Sequence, residues 1–468
     1  MNNCKSKNFS FVNHNTFFAN SVDPYQPEAW AQESLAVLED NIMAAGLVHR
    51  DFDSTIASFG DTVNTRQPAM FQAKRKTVDD DVEEQNASAT NVAVVLNQLV
   101  HVTFLLRDAE RSLAFKDLVT EFLDPAMKAQ AKFLDQIVLG QLPQFLGNAV
   151  GGLGSLSSTN VRDRILAGRN KMNINKAPEE GRNLIWTPNS ETEALKLDLF
   201  VSAQNVGDGG NALTTAALGR KFGFNNYMSQ LAASVPTTAV TAATGAINAA
   251  LGHGVGSTSV TVDGFAAAIP AGSWVSIDGQ PYRVVSTTGG ATPTAIVISS
   301  PGLRLAVADN AVVKTAQAGA INLAAGYAAG YAKYLTFDGL TATPAVGQMV
   351  SFTASPTSAI YTITDVTSTT MQLDRPLEVA LVDNDIVNPG PAGEYNFAFN
   401  RNAISLIVRP LALIPAGLGA QSAIINHNGL SMRATLSHDG VKQGIRVTLD
   451  MLCGVKVLNT ALGSPILG

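Results

Sequence analysis

Residues able to do chemistry are few and scattered. The six histidines, His14, His49, His101, His253, His427 and His438, fall into neither an HExxH motif nor any other zinc spacing, so each is expected to be a surface or hydrogen-bonded side chain. The acidic run Asp79, Asp80, Asp81, Glu83 and Glu84 could attract a hard cation. It lacks the glycine and the spaced oxygen ligands of a calcium loop. Glu179-Glu180, in PEEGRN, would need a pocket to work as an acid–base pair. No G-x-S-x-G elbow surrounds a serine, and Cys453 sits in an apolar run where a small core residue is expected. The glycine-rich stretch 147–158, GNAVGGLGSLSS, has neither the dinucleotide fingerprint nor the Lys-Ser/Thr ending of a phosphate loop. No catalytic, cofactor or metal site is therefore expected, and the chain does not read as an enzyme. What remains are groups suited to contact: the basic triplet Lys74, Arg75 and Lys76 beside Asp79, Asp80 and Asp81, and the aromatics Phe9, Phe11, Phe17 and Phe18 on a polar background.

The totals point the same way. The chain has 468 residues, enough for two or three domains, with 46% hydrophobic and 15% charged residues. So much apolar surface must be covered inside the fold or by other subunits. A net charge of -6 argues against a dedicated nucleic-acid-binding module, though not against a protein that surrounds DNA. Two cysteines, Cys4 and Cys453, are too few for a secreted disulfide framework. The beginning MNNCKSKNFSF lacks the apolar core of a signal peptide and no stretch is long and apolar enough to span a bilayer, so a soluble protein made in a reducing compartment is expected.

The elements that must position these groups follow from periodicity. Residues 1–26 cannot build their own core and read either as an arm lying on a neighbouring surface or as a disordered terminus. Pro27 opens a helix through Gly46, with Trp30, Leu35, Leu38, Ile42 and Met43 on its apolar face. Thr62–Arg66 and Phe71–Lys74 read as one strand and Val92–Leu106 as its return, a two-stranded excursion with a charged tip. Asp124 caps and Pro125 starts a long helix whose stripe is Ala126, Met127, Ala131, Phe133, Leu134, Ile137 and Val138, closed by Gly140. A helix capped by Asn160, the strand Leu184–Trp186, and a helix from Ser190 to Val201 with Glu193 completing a capping box suggest an α+β domain.

From about residue 236 to 391 charge nearly disappears, and the sequence repeats. Thr261-Val262-Asp263-Gly264-Phe265 matches Thr336-Phe337-Asp338-Gly339-Leu340, Val275-Ser276-Ile277 matches Val350-Ser351-Phe352, and Ala306–Asn310 matches Ala380–Asn384. Two tandem β-modules, about 255–315 and 333–388, are expected, joined by the Ala/Gly-rich stretch 317–332. The strands Ile404–Val408, Ser431–Ser437 and Ile445–Val457 lack local partners and are expected to return to the sheet of residues 160–230.

The order of these elements resembles the major capsid (coat) proteins of tailed bacteriophages, the Hong Kong 97-type fold, and within it the podovirus-like subgroup with an inserted β-domain. The resemblance is carried by Ile137-Val138-Leu139-Gly140, Leu184-Ile185-Trp186-Thr187-Pro188, Gly219 to Tyr227 and Gly454-Val455-Lys456-Val457-Leu458, in that order along nearly the whole chain. It implies an α+β phage capsid fold: N-terminal arm and helix (1–49), extended hairpin loop (50–111), peripheral domain with spine helix (112–159), discontinuous axial domain (160–235 and 392–468) and an inserted tandem all-β region (236–391). It further implies an icosahedral virion shell of hexamers and pentamers, assembled in the host cytoplasm with scaffolding and portal proteins, enclosing double-stranded DNA without sequence-specific binding, and with no cofactor and no membrane. A duplicated module departs from the single inserted domain of that subgroup. The rival expectation is a surface-layer or adhesin-like protein whose repeats are recognition modules.

Overall fold

The computed structural model describes residues 27–50, 56–67, 73–76, 78–79, 81–82, 84, 90–107, 119–201, 216, 218–239, 243–353, 359–415 and 419–468. Everything is arranged around the helix Asp124–Leu139. Its first half shows the expected stripe, with Ala126, Met127, Ala131 and Leu134 buried and Lys128 and Lys132 in solvent. Its second half is buried all round, because three different elements claim it. Asp124 does not cap it. A π-helical turn, Val119–Leu123, runs straight into the helix, so the backbone at Leu123 is already helical and no side chain bonds the first amides. Pro125 lies in the first turn as expected, where its missing N–H is harmless.

On one side lies the helix Pro27–Asn41, shorter than the sequence suggests; a 3-10 turn, Ala44–Gly46, follows it. This helix is sandwiched between the long helix and a five-stranded antiparallel sheet, burying Trp30, Leu35 and Leu38. The sheet pairs Ile404–Arg409, Ala420–His427, Leu430–Asp439 and the long strand Gly444–Val457 with Gln98–Arg107. The C-terminal strands thus do not return to the sheet of residues 160–230: Ala420–His427, Leu430–Asp439 and Gly444–Val457 pair in succession, Ile404–Arg409 joins the end of Gly444–Val457, and the open flank of Gly444–Cys453 is filled by a strand from the first quarter of the chain. The return of the hairpin is accordingly not one strand. It breaks at Leu96-Asn97 into Thr90–Val95, which pairs with Thr62–Gln67, and Gln98–Arg107, which belongs to the sheet.

A second sheet joins Arg182–Trp186, Phe224–Met228, Gly393–Asn400 and Gly463–Leu467, with Val150–Gly151 from the glycine-rich stretch parallel to Ile466-Leu467 at its edge. Arg182–Trp186 is buried at every position: Leu184-Ile185-Trp186 supply the apolar run, and Arg182 is satisfied by donating to Ala177 O (2.7 Å) and Pro178 O (2.8 Å). Two of the expected caps differ. Asn160 turns its side chain back to Ser157 N (3.0 Å) and Ser155 O (2.6 Å) instead of capping Val161–Ile174. The next helix is Pro188–Leu195, capped by Thr187, whose Oγ1 accepts from Ser190 N (3.3 Å), while Glu193 accepts from Ser158 N (2.9 Å); Asp198–Val201 is a separate turn.

The low-charge region forms two closed six-stranded barrels, with strands spanning 244–315 and 319–389. Their strands follow the same cyclic order, and both bulge at the same place, between Val284 and Ser286 in the first and Ile363 and Asp365 in the second. Gly319–Ile321, expected to lie in a linker, is the first strand of the second barrel. It repeats Gly245-Ala246-Ile247-Asn248 as Gly319-Ala320-Ile321-Asn322, a match that alternation alone does not flag because the strand is so short. The turn asparagines Asn310 and Asn384 both take left-handed backbone, φ 62° and 67°. Each barrel encloses its own apolar core, the first around Val260, Val275 and Ile296, the second around Phe337, Phe352 and Tyr361.

Candidate subunit interface

The ribbon Thr62–Gln67/Thr90–Val95 forms a two-stranded sheet of its own. Two strands alone are marginal in water, and among the described residues the ribbon is anchored at its base, where Val94 and Leu96 pack against Ile407 and Leu452. At the far end Lys74, Arg75, Lys76, Asp79 and Asp81 are exposed, with Val78 and Val82 beside them in solvent. The strand ends at Gln67, so Lys74 to Lys76 lie in irregular chain, not in a strand continuing to Lys74. Asp80, Phe9, Phe11, Phe17 and Phe18 lie outside the described residues.

The residues with catalytic potential are dispersed. His253 Nε2 accepts from Thr261 N (3.1 Å), and Tyr327 OH takes the same place in the second barrel, accepting from Thr336 N (2.7 Å). Such replacement of imidazole by phenol marks a structural hydrogen bond. His427 lies 3.6 Å from Glu39, Glu179 is exposed opposite Arg169 at 3.7 Å, and Cys453 is fully buried, burial pushing its thiol up to about 12. Among the described residues no three His, Cys, Asp or Glu side chains group so as to hold a metal ion, and no helix is long and apolar enough to cross a membrane.

The important polar groups are instead those that join the long helix, the sheet and the barrels; periodicity could not reveal Gln130 and Gln136 because they occupy helix positions that a two-layer packing would expose. Gln130 Nε2 donates to Leu449 O in the five-stranded sheet (2.8 Å), and Gln136 Nε2 to Thr364 O in the second barrel (2.8 Å). Gln98, at the start of the sheet strand that continues the ribbon, donates to Asp374 O (2.7 Å), and Thr362 Oγ1 donates to Gly140 O (3.2 Å). Gly140 has to be glycine for this docking, since a Cβ there would lie 2.9 Å from the Cβ of Asp374. The first barrel is tied by Arg304, which lies over Tyr282 and donates to Leu146 O (2.9 Å). Both barrels are thus fixed to the body by buried polar seams.

Asp135 is the strongest electrostatic feature of the helix. Only 4% exposed, its carboxylate accepts from Met43 N (3.0 Å) and Ala45 N (2.8 Å), pinning the 3-10 turn to the long helix. Burial outweighs these hydrogen bonds and raises its pKa to about 6 from 3.8. Between these values the folded state holds a proton that the unfolded chain has lost, so stability falls as pH rises through this window. The shift amounts to about 3 kcal/mol at roughly 1.4 kcal/mol per unit. Urea unfolding of Asp135→Asn is expected to change relative to the parent by that order, in the variant's favour, between pH 4 and pH 7. An identical pH dependence in both would show that Asp135 ionises normally.

No protein-family model matches this sequence, and a search of curated proteins finds no match. Among solved structures the chain is similar to one from Mycobacterium phage Che8 (12% identity, 91% of this chain and 90% of that one, TM-score 0.40). It is also similar to the capsid of cyanophage P-SCSP1u (9%, 90% and 85%, 0.40) and to that of Ralstonia phage GP4 (8%, 92% and 89%, 0.40).

Proposed function

We propose that this chain is a non-enzymatic structural subunit, a major capsid protein of a tailed phage whose copies close an icosahedral shell around double-stranded DNA. The observation that carries the reading is the ribbon at Thr62–Val95: its return continues into the central sheet as Gln98–Arg107, so load on the exposed tip passes directly into the folded body. An extension of this kind, unable to bury its own tip, is stabilised by a neighbouring copy. The N-terminal helix, long central helix, discontinuous sheet and inserted barrels follow the order that the sequence resemblance implies. On this reading the barrels are an inserted region of a podovirus-like Hong Kong 97-type subunit, and scaffolding and portal proteins assist assembly in the host cytoplasm. The negative net charge suits a container wall, because strong phosphate neutralisation would immobilise packaged DNA. Each exposed ion pair at the ribbon contributes at most about 1 kcal/mol, so shell stability comes from repetition and apolar contact. Electron microscopy of the purified protein is expected to show closed shells or tubular polyheads. A monomer that stays monomeric across salt, pH and concentration overturns the proposal and favours the surface-layer alternative.

A further inference from the structure

The two barrels provide an internal control, because the same face is filled by a turn in one and opens on a cleft in the other. In the second barrel, neighbouring strands present Ser351, Thr353 and Asn388, and this face receives the turn at Gly272 of the first barrel. Ser351 Oγ donates to Gly272 O (3.0 Å), Ser273 Oγ donates to Asn388 Oδ1 (3.2 Å), and Thr353 lies against Gly272. The repeat partners of these residues in the first barrel are Ser276, Asp278 and Lys314, and Ser276 pairs with Lys314 as Ser351 does with Asn388. Here the body's turn at Gly152-Leu153 reaches only the end of the strand, Leu153 N donating to Gly279 O (2.7 Å), and among the described residues no turn bonds to the side chains of Ser276, Asp278 or Lys314. The matching turn of the second barrel, Gly347-Gln348, is already used against Ala233 and Gly390 O. The rest of this face forms one wall of a cleft of about 930 Å³ between the first barrel and the body.

The opposite wall carries Glu193 and Glu394, so three carboxylates face one lysine, Lys314, in the cleft. Glu193 is engaged by Lys196 at 2.5 Å. Glu394 uses Oε1 to accept from Asn189 and Ser234, both at 2.8 Å, while its buried Oε2 has no hydrogen-bond partner among the described residues. Where the filled face has neutral Thr353 and Asn388, the open one has charges, which suits a charged occupant. The complementary segment on this molecule is the exposed basic tip of the ribbon.

We propose that the cleft between the first barrel and the body is a docking site for the Lys74-Arg75-Lys76 tip of a second copy of this chain. The proposal rests on the shell-subunit reading and adds the address to which the ribbon is delivered. Guanidinium and ammonium groups of the tip meet Glu394 and Asp278, and the irregular backbone around Arg75 takes the place that the Gly272 turn occupies on the second barrel. These contacts are partly desolvated by the cleft walls, so they outlast salt better than exposed pairs.

The test uses the full chain with Cys4→Ser, Val78→Cys beside the basic triplet and Thr237→Cys at the exposed rim of the cleft. Assembled shells are treated with a short bismaleimide and run on a denaturing gel. A ladder of covalent multimers is expected with both cysteines, and only monomer with either alone. Shells that form normally but yield no ladder overturn the docking site while leaving the shell reading intact. A second readout is assembly yield: Lys74→Glu, Arg75→Glu and Lys76→Glu together are expected to lower it at least tenfold, and adding Asp278→Lys to restore it to within about threefold. Loss without restoration, in a triple variant that remains folded by circular dichroism, places the tip elsewhere.

Discussion

Ile137→Asp is expected to leave no soluble folded protein. Ile137 is fully buried in the half of the long helix that is covered on every side. The substitution removes about 1.5–3 kcal/mol of apolar burial and places a carboxylate where neither water nor a cation reaches it, a further cost of several kcal/mol. The sum rivals the whole stability of an ordinary domain, about 5–15 kcal/mol. Leu134→Asp, at an equally buried position, should behave alike, whereas Lys132→Asp on the exposed face should remain soluble, with stability within about 1 kcal/mol of the parent. Soluble yield and far-ultraviolet circular dichroism decide between them. A soluble, cooperatively melting Ile137→Asp protein would mean that the helix is not the shared centre of the fold.

The second large effect is expected at Asp374, in the seam between the second barrel and the end of that helix. Its carboxylate is inaccessible, accepts from Thr362 N (2.7 Å) and pairs with Arg375 Nη1 (2.9 Å). Asp374→Ala leaves the mostly buried Arg375 without its closest counter-charge and orphans the Thr362 amide. Arg375 keeps Glu378 at 3.1 Å and Ile360 O at 2.6 Å, so the loss is expected to be about 3 kcal/mol rather than the upper end for broken buried pairs. Thermal unfolding should shift down by several degrees, and hydrogen exchange should rise in Tyr361–Val366 and at Gln136–Gly140 together. Glu378→Ala removes an exposed partner and should cost no more than about 1 kcal/mol. A rise confined to the barrel would mean that the seam does not couple the two units.

Both predictions concern interactions that join distant parts of the chain, and this marks the limit of what could be read in advance. Local signals were sound where local physics decides: the long helix at Asp124–Leu139, the buried strand around Leu184–Trp186, and the 75-residue echo of Val275-Ser276-Ile277 in Val350-Ser351-Phe352. They were less sound at boundaries. Thr187 rather than Ser190 caps its helix, and a π-helical turn supplies the start that Asp124 was expected to cap, because competing caps differ by less than tertiary packing can impose.

By itself the sequence determined which residues carry each apolar face, the duplication of the low-charge region, and the absence of the familiar catalytic spacings. Only the tertiary structure decided which strands pair across hundreds of residues, placing Gln98–Arg107 beside Gly444–Cys453 instead of leaving it in the ribbon. Only the structure buries Asp135, Gln136 and Asp374, and only it leaves one barrel face filled and its duplicate open on a cleft. The reason is physical. Periodicity reports how many faces of an element avoid water when one neighbour covers it, whereas the long helix is covered by three, and polar residues there are retained because each finds a partner from another part of the chain.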